Sequence, residues 1–207
     1  MHTFSAAACV RFGWQTFKKR GWFFVGVTAL MMVASWAIGA LAAVFGNQGT
    51  PSFAGTIVNM GLSTLLSMGF VAVMLHAHDA VESADVKSLW HPQAFWKFLV
   101  AELLTSTIVV IGFVLLIVPG LIAVMTLIFV PYIVIDKEPN PIEALKESMR
   151  ITKGSRWEIA LLVLMIAGLN ILGALAILVG LLVTVPLTTL ALVHAYRTLE
   201  ANAKAPA

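Results

Sequence analysis

One acidic side chain, Glu102, lies well inside an apolar run, the stretch from Phe95 to Ile135. It sits about seven residues into that run, roughly 10 Å deep at 1.5 Å per residue. A charge at that depth is costly, which makes an intramembrane carboxylate a functional candidate by default. Thr105 and Ser106 follow at the third and fourth positions beyond it and share its helix face. Such a face could carry a proton or cation along a transport path. The alternative is that Glu102 reaches toward the interface and pairs with a Lys or Arg, or is simply protonated.

A second polar stripe, Thr56, Asn59, Ser63 and Ser67, runs along an earlier apolar stretch, the second expected span, while Asn170, Thr184 and Thr188 interrupt the last apolar stretches. These could line a water-filled path, but the same residue types serve as interhelical hydrogen-bond partners contributing about 0.6–2 kcal/mol each. Ser35, Gly39 and Ala43 read as a close-packing face. Pro131 and Pro186 should kink their helices and free the carbonyls of Leu127 and Leu182. Broken helices in corresponding halves mark binding sites in some transporters.

Enzymatic chemistry finds less support. His76, His78, Asp79 and His91 could approach a metal, but their spacing matches no zinc signature and reads as a surface histidine cluster. Ser63 and His194 are the only pair for an intramembrane serine protease, and no G-x-S-x-G surrounds Ser63. No phosphate-binding glycine loop is present. The expectation is a protein that is not an enzyme and uses no metal or cofactor.

The composition sets the elements that must position these residues. The chain has 207 residues, 60% hydrophobic and 11% charged, with a mean hydropathy of +0.95, whereas soluble domains carry about a quarter charged residues. That much apolar side chain cannot be hidden in water, so the expected fold class is all-α, a polytopic helical membrane protein. Cys9 has no partner, so helix packing must replace disulfides. The net charge of +3 reflects basic residues flanking apolar spans, an orientation signal and not a nucleic-acid footprint.

Six spans are expected, at about 22–45, 53–75, 95–116, 119–135, 157–175 and 178–197, each close to the length a bilayer needs. They form three hairpins within a single membrane domain, 1–207. The first apolar run contains a small-x-small pattern at Ala40-Leu41-Ala42, but at about 24 residues it exceeds a signal core of 7–15 and reads as a span. Residues 4–20 suit an amphipathic helix at the headgroup level, with Phe4, Val10, Phe12, Trp14 and Phe17 beside Arg11, Gln15, Lys18 and Lys19.

A second surface helix is expected over 141–153, with Asn140 as N-cap, Pro141 at its first position, Glu143 completing a capping box and Gly154 after its end. Its candidate interface is the stripe Ile142, Leu145 and Met149, with Glu147 on the solvated face. All Lys and Arg residues fall in the N-terminus, the two long linkers or the C-terminus, so the positive-inside rule puts both termini and those linkers in the cytoplasm. A weak repeat joins the hairpins: Ile38-Gly39-Ala40-Leu41-Ala42 recurs as Leu172-Gly173-Ala174-Leu175-Ala176, followed by Gly46 or Gly180, with Ile111-Gly112 and Gly120 as a looser copy.

From Ile117 to Leu199 the chain resembles the YciC-like bacterial inner-membrane proteins and the membrane domain attached to some glycerophosphoryl diester phosphodiesterases. The matching residues are Ile117-Val118-Pro119-Gly120, Pro131-Tyr132, Asp136, Pro141 to Leu145, Ser148, Lys153-Gly154, Trp157, Pro186 and Tyr196-Arg197. The resemblance implies a bacterial inner (cytoplasmic) membrane location and a loose link to envelope or lipid metabolism. It carries over no catalytic residues, and the phosphodiesterase catalytic domain has no counterpart here. The functional expectation is a membrane domain binding membrane lipids or a protein partner at its cytoplasmic face through 4–20 and 141–153, without nucleic acid. The alternative is a small transporter or channel built on Glu102, Ser106, Asn59, Ser63 and Asn170.

Overall fold

The computed structural model describes residues 4–44, 53–80, 94–176 and 180–204. Among these the chain is helical throughout: α1 (Ala6–Lys19), α2 (Gly21–Val44), α3 (Phe53–Asp79), α4 (Phe95–Leu115), α5 (Ile117–Leu127), α6 (Val130–Lys137), α7 (Pro141–Thr152), α8 (Arg156–Leu175) and α9 (Leu181–Lys204). Six helical stretches are long and apolar enough to cross a bilayer, with α5 and α6 together forming the fourth. The exposed apolar side chains, such as Val33, Val110, Leu164 and Ile171, would be an aggregation hazard in water and are the expected lipid-facing surface of a multi-pass membrane protein. The turns at 46–51 and the linker residues 81–93, including Lys87 and His91, lie outside the described residues.

The three pairs α2–α3, α4–α5/α6 and α8–α9 are helical hairpins, and the first helix of each carries a Trp at its second position. Trp22, Trp96 and Trp157 are 91%, 71% and 84% exposed, placing one aromatic belt at the same end of the bundle. The glycines of the weak repeat close two hairpins. A Cβ on Gly180 would fall 2.5 Å from Gly173 O and 2.7 Å from its Cα, and one on Gly112 would fall 3.0 Å from Gly120 Cα. Backbones can approach this closely only where side chains are missing. The first hairpin does not share the device, because a Cβ on Gly39 would meet nothing within 4 Å. Ser35 and Ala43 are likewise exposed, so the close-packing face read from Ser35, Gly39 and Ala43 is not buried against another helix among the described residues.

The fourth span is not one helix. It breaks at Ile128 and Phe129, two residues before Pro131, because proline offers no N–H to the carbonyl of Leu127 and its ring crowds the preceding turn. The break leaves a second carbonyl, Thr126 O, accepting from the Ser148 hydroxyl of α7 at 2.7 Å. In α9, by contrast, the helix runs on through Pro186. The second and sixth spans extend as helix beyond their expected ends at 75 and 197, to Asp79 and Lys204.

Helix α7 forms as its caps require: Asn140 N–H donates to Glu143 Oε2 at 3.3 Å within a capping box, and Gly154 stops it at φ +93°. Its docked face is Ala144, Leu145, Ser148, Ile151 and Thr152. Of the expected stripe, only Leu145 is buried, at 7%, while Ile142 and Met149 are 61% and 44% exposed. The hydroxyls make the difference: Ser148 and Thr152 bond the carbonyls of Thr126 and Ser148, so both bury as readily as apolar residues. Leu145→Asp is therefore expected to release α7, with lower folded yield and faster proteolysis at Arg150 and Lys153, whereas Met149→Asp should leave protection near wild type. Equal effects from the two would contradict this docking geometry.

Helix α1 docks through a face that the aromatic residues alone did not mark. Its buried face is Ala6, Cys9, Gly13, Thr16 and Phe17, and it runs antiparallel to α9, with Gly13 against Leu187 and Ala191 and Phe12 stacked on His194 at 4.0 Å between centroids. Small residues, not the aromatic set, make this contact possible, since a Cβ on Gly13 would sit 2.6 Å from Leu187 O. Trp14 instead faces outward, 44% exposed.

Candidate functional site

The ends of α3, α6 and α9 meet in one polar cluster that ties the three hairpins together. Arg197 on α9 donates from Nη1 to Asp136 Oδ2 of α6 at 2.9 Å and from Nη2 to Asp79 Oδ2 of α3 at 2.7 Å. The fully buried Tyr196 adds its hydroxyl to Asp136 Oδ2 at 2.8 Å. One guanidinium therefore spans two carboxylates, a task suited to its fixed fork of donors. On the other side of Asp79, His78 Nδ1 lies 3.0 Å away, and His78 Nε2 lies 3.1 Å from His194 Nδ1.

A second set of charges fastens α7 and the end of α9. Lys137 Nζ approaches Glu200 Oε1 at 2.9 Å and Glu147 Oε1 at 3.4 Å, and Lys204 Nζ reaches Glu200 Oε1 at 2.6 Å. Arg150 grips Glu147 with Nε at 2.7 Å and Nη2 at 2.8 Å. This fork, aided by Lys137, holds the Glu147 carboxyl down to about 2. Glu147 is thus a fastened residue and not part of a freely solvated face, contrary to the sequence expectation. Lys97 at the start of α4 donates to Glu138 O at 2.6 Å, and Ala6 N–H of α1 donates to Glu158 Oε2 of α8 at 3.2 Å. All these contacts lie at one end of the bundle.

Two stripes face outward beside that end. On α7, Ile142, Lys146 and Met149, continued by Lys153, repeat at helical spacing and are exposed. On α1, Arg11, Trp14 and Lys18 do the same, with Lys18 Nζ 5.0 Å from the Trp14 ring. Apolar bodies with basic tips suit the boundary between acyl chains and headgroups. Between α1, α3 and α9 lies a cavity of about 460 Å³ lined by Ser5, Cys9, His78, His194, Arg197 and Asn202 among others.

The residues singled out from the sequence are scattered. Ser63 donates to Asn59 Oδ1 at 3.2 Å, Ser67 to Thr64 O at 3.1 Å, and Ser106 to Leu103 O at 3.0 Å, so these hydroxyls are satisfied within their own helices. Ser63 and Ser67 edge an apolar groove of about 450 Å³ between α2, α3 and α9, with Met31, Trp36 and Phe70 among its walls. Asn170 Oδ1 and Thr184 Oγ1 are buried without a hydrogen-bond partner among the described residues. Glu102, Thr105 and Ser106 do come together, at a cavity of about 280 Å³ beside the α5–α6 break. No group of three or more metal-ligating side chains occurs among the described residues.

The cluster around Arg197 was missed from the sequence, although its signal was present: Asp79, Asp136 and Arg197 each close an even-numbered apolar run. Charges at equivalent ends of three hairpins must meet once the hairpins pack in parallel. No curated protein and no solved structure gives a match to the chain. Residues 104–203, just under half of the chain and including all of α5, α6, α7 and α8, are similar to a family described as a protein of unknown function, DUF975.

Proposed function

We propose that the protein is a non-enzymatic membrane domain whose α1 and α7 stripes bind anionic lipid headgroups at the cytoplasmic face of a bacterial inner membrane. The observation that carries this reading is the outward α7 stripe, in which Ile142 and Met149 stay exposed beside Lys146 and Lys153 although the helix is firmly docked on its other face. Each basic residue held at an anionic surface contributes about 1 kcal/mol. The positive-inside distribution of Lys and Arg supports placing the polar end in the cytoplasm. The YciC-like resemblance supports a role in envelope or lipid metabolism.

The test is native mass spectrometry of the protein extracted from mixed bilayers, comparing retained phosphatidylglycerol with phosphatidylcholine. Wild type is expected to retain the anionic lipid preferentially, and Lys146→Glu with Lys153→Glu to lose most of that preference while folding normally. Indifference of the wild type to headgroup charge would contradict the lipid reading and favour a protein partner on the same surface. Solute flux through liposomes that disappears in Glu102→Gln would instead support the alternative, a small transporter or channel.

A further inference from the structure

We propose that the cavity beside the α5–α6 break is a binding site for a primary ammonium group. It lies within the spans, apart from the α1 and α7 surface. Glu102 is six residues beyond the exposed Trp96 that marks the interface, roughly 9 Å deeper at 1.5 Å per residue. The Glu102 side chain is exposed at the mouth of the cavity, and its carboxylate makes no hydrogen bond or ion pair among the described residues. The ammonium that its own helix could offer, Lys97 Nζ, is committed to Glu138 O at 2.6 Å.

Two further oxygens belong to residues that line the same cavity. Thr105 Oγ1 is buried and has no hydrogen-bond partner among the described residues, and it lines the cavity with Glu102. Leu127, another lining residue, keeps a carbonyl to which Pro131 can offer no N–H. The lining residues thus carry a carboxylate, an orphan hydroxyl and a helix carbonyl to which proline offers no N–H. All three can accept, and a primary ammonium has three N–H donors to give. Burying that charge beside Glu102 supplies the counter-charge each group needs in a low-dielectric setting.

The size and the remaining walls select among cations. A volume of about 280 Å³ is far larger than a bare ion requires, and apart from Ser106, whose hydroxyl donates to Leu103 O, the remaining walls are apolar, with Phe98, Val109, Ile128 and Val130 among them. A hard metal cation takes six or more oxygen ligands as a rule, which this set does not supply. An aminoalkyl group places its N–H donors on the oxygens and its carbons on the apolar wall. The same chemistry is offered by an ethanolamine phospholipid from the bilayer and by a free alkylamine.

The full-length protein in detergent is tested in two arms: retention of phosphatidylethanolamine against phosphatidylcholine by native mass spectrometry, and titration calorimetry with ethylammonium against tetramethylammonium at equal ionic strength. In each pair only the first ligand can donate. Wild type is expected to favour the donor by about tenfold in at least one arm, the scale of a charge-assisted hydrogen bond. Discrimination in the lipid arm alone identifies the phospholipid as the source, and in the amine arm alone the free amine. Glu102→Gln should abolish the discrimination, Thr105→Val should weaken it and Thr105→Ser should retain it. Lack of discrimination in both arms overturns the proposal, as does discrimination that survives Glu102→Gln. Should Glu102→Gln fail to fold, full discrimination in Thr105→Val is the overturning result.

Discussion

Asp136→Asn is expected to be among the most destabilising single substitutions at the polar end of the bundle, costing about 2–3 kcal/mol. The change keeps the side chain's volume but removes the charge that holds Arg197 and leaves one neutral amide oxygen to accept from both Tyr196 and Arg197. Breaking a fully buried pair costs about 3–5 kcal/mol because the partner charge is left unmatched. Here Asp136 and Arg197 keep 19% and 27% of their side-chain surface exposed, which reduces that penalty. Asp79 is the internal comparison. It contacts the same guanidinium but is 52% exposed, so Asp79→Asn should cost no more than about 1 kcal/mol. Thermal unfolding in nanodiscs measures both; equal losses would mean that Arg197 has no preferred anchor and that the cluster is ordinary surface pairing.

Gly180→Ala is expected to cost about 3 kcal/mol, at the upper end of overpacking effects. The added methyl would lie 2.5 Å from Gly173 O, 2.7 Å from Gly173 Cα and 2.9 Å from Gly173 C. These are backbone atoms, so relief requires the α8–α9 hairpin to spread, not a side chain to rotate. Gly168→Ala in the same α8 helix is the control, since a Cβ there meets nothing within 4 Å. That substitution should be neutral or stabilising by up to about 1 kcal/mol, through lower unfolded-state entropy and better helix propensity. A matched pair of unfolding curves decides the point: similar midpoints for the two variants would remove the glycine contact as the closure of this hairpin.

These two sites show how far the sequence could be read. Span number, the capped α7 helix and the break at Pro131 follow from local rules, because hydropathy, caps and proline act over a few residues and need no knowledge of neighbours. The repeat also carried real geometry in Gly112–Gly120 and Gly173–Gly180, although Gly39 showed that the same motif can face outward. What stayed hidden depended on which helices meet. Ile142 and Met149 share a plausible apolar stripe with Leu145, yet Ser148 and Thr152 take the buried positions because carbonyls on α5 and on α7 itself satisfy them. Similarly, α1 looked like an aromatic-faced surface helix until Gly13 and Ala6 were found against α9 and α8. Pairings across more than a hundred residues, such as Asp79 with Arg197, show in the sequence only as charges that close corresponding apolar runs, with nothing local to say which of them meet.

The same limit applies to the candidate residues. Polar side chains in apolar runs are visible in a sequence, but whether they are satisfied is not. Asn59 and Ser63 bond each other along one helix, and Ser106 returns its proton to its own helix. Thr105, which drew attention only as a neighbour of Glu102, is the one left with a buried orphan hydroxyl beside it.

We propose that the six-span bundle has its polar end, with α1, α7 and the end of α9, facing the cytoplasm. This orientation is tested most directly by single cysteines labelled with a membrane-impermeant maleimide in intact and permeabilised cells. The native Cys9 gives little background, being 2% exposed, with burial pushing its thiol up to about 11. Cysteines replacing Lys18, Lys146 and Lys204 should label only after permeabilisation, whereas one replacing Leu116, in the turn between α4 and α5, should label in intact cells or not at all. Labelling at Lys146 from outside intact cells would contradict the orientation and, with it, the assignment of α7 to the cytoplasmic membrane surface.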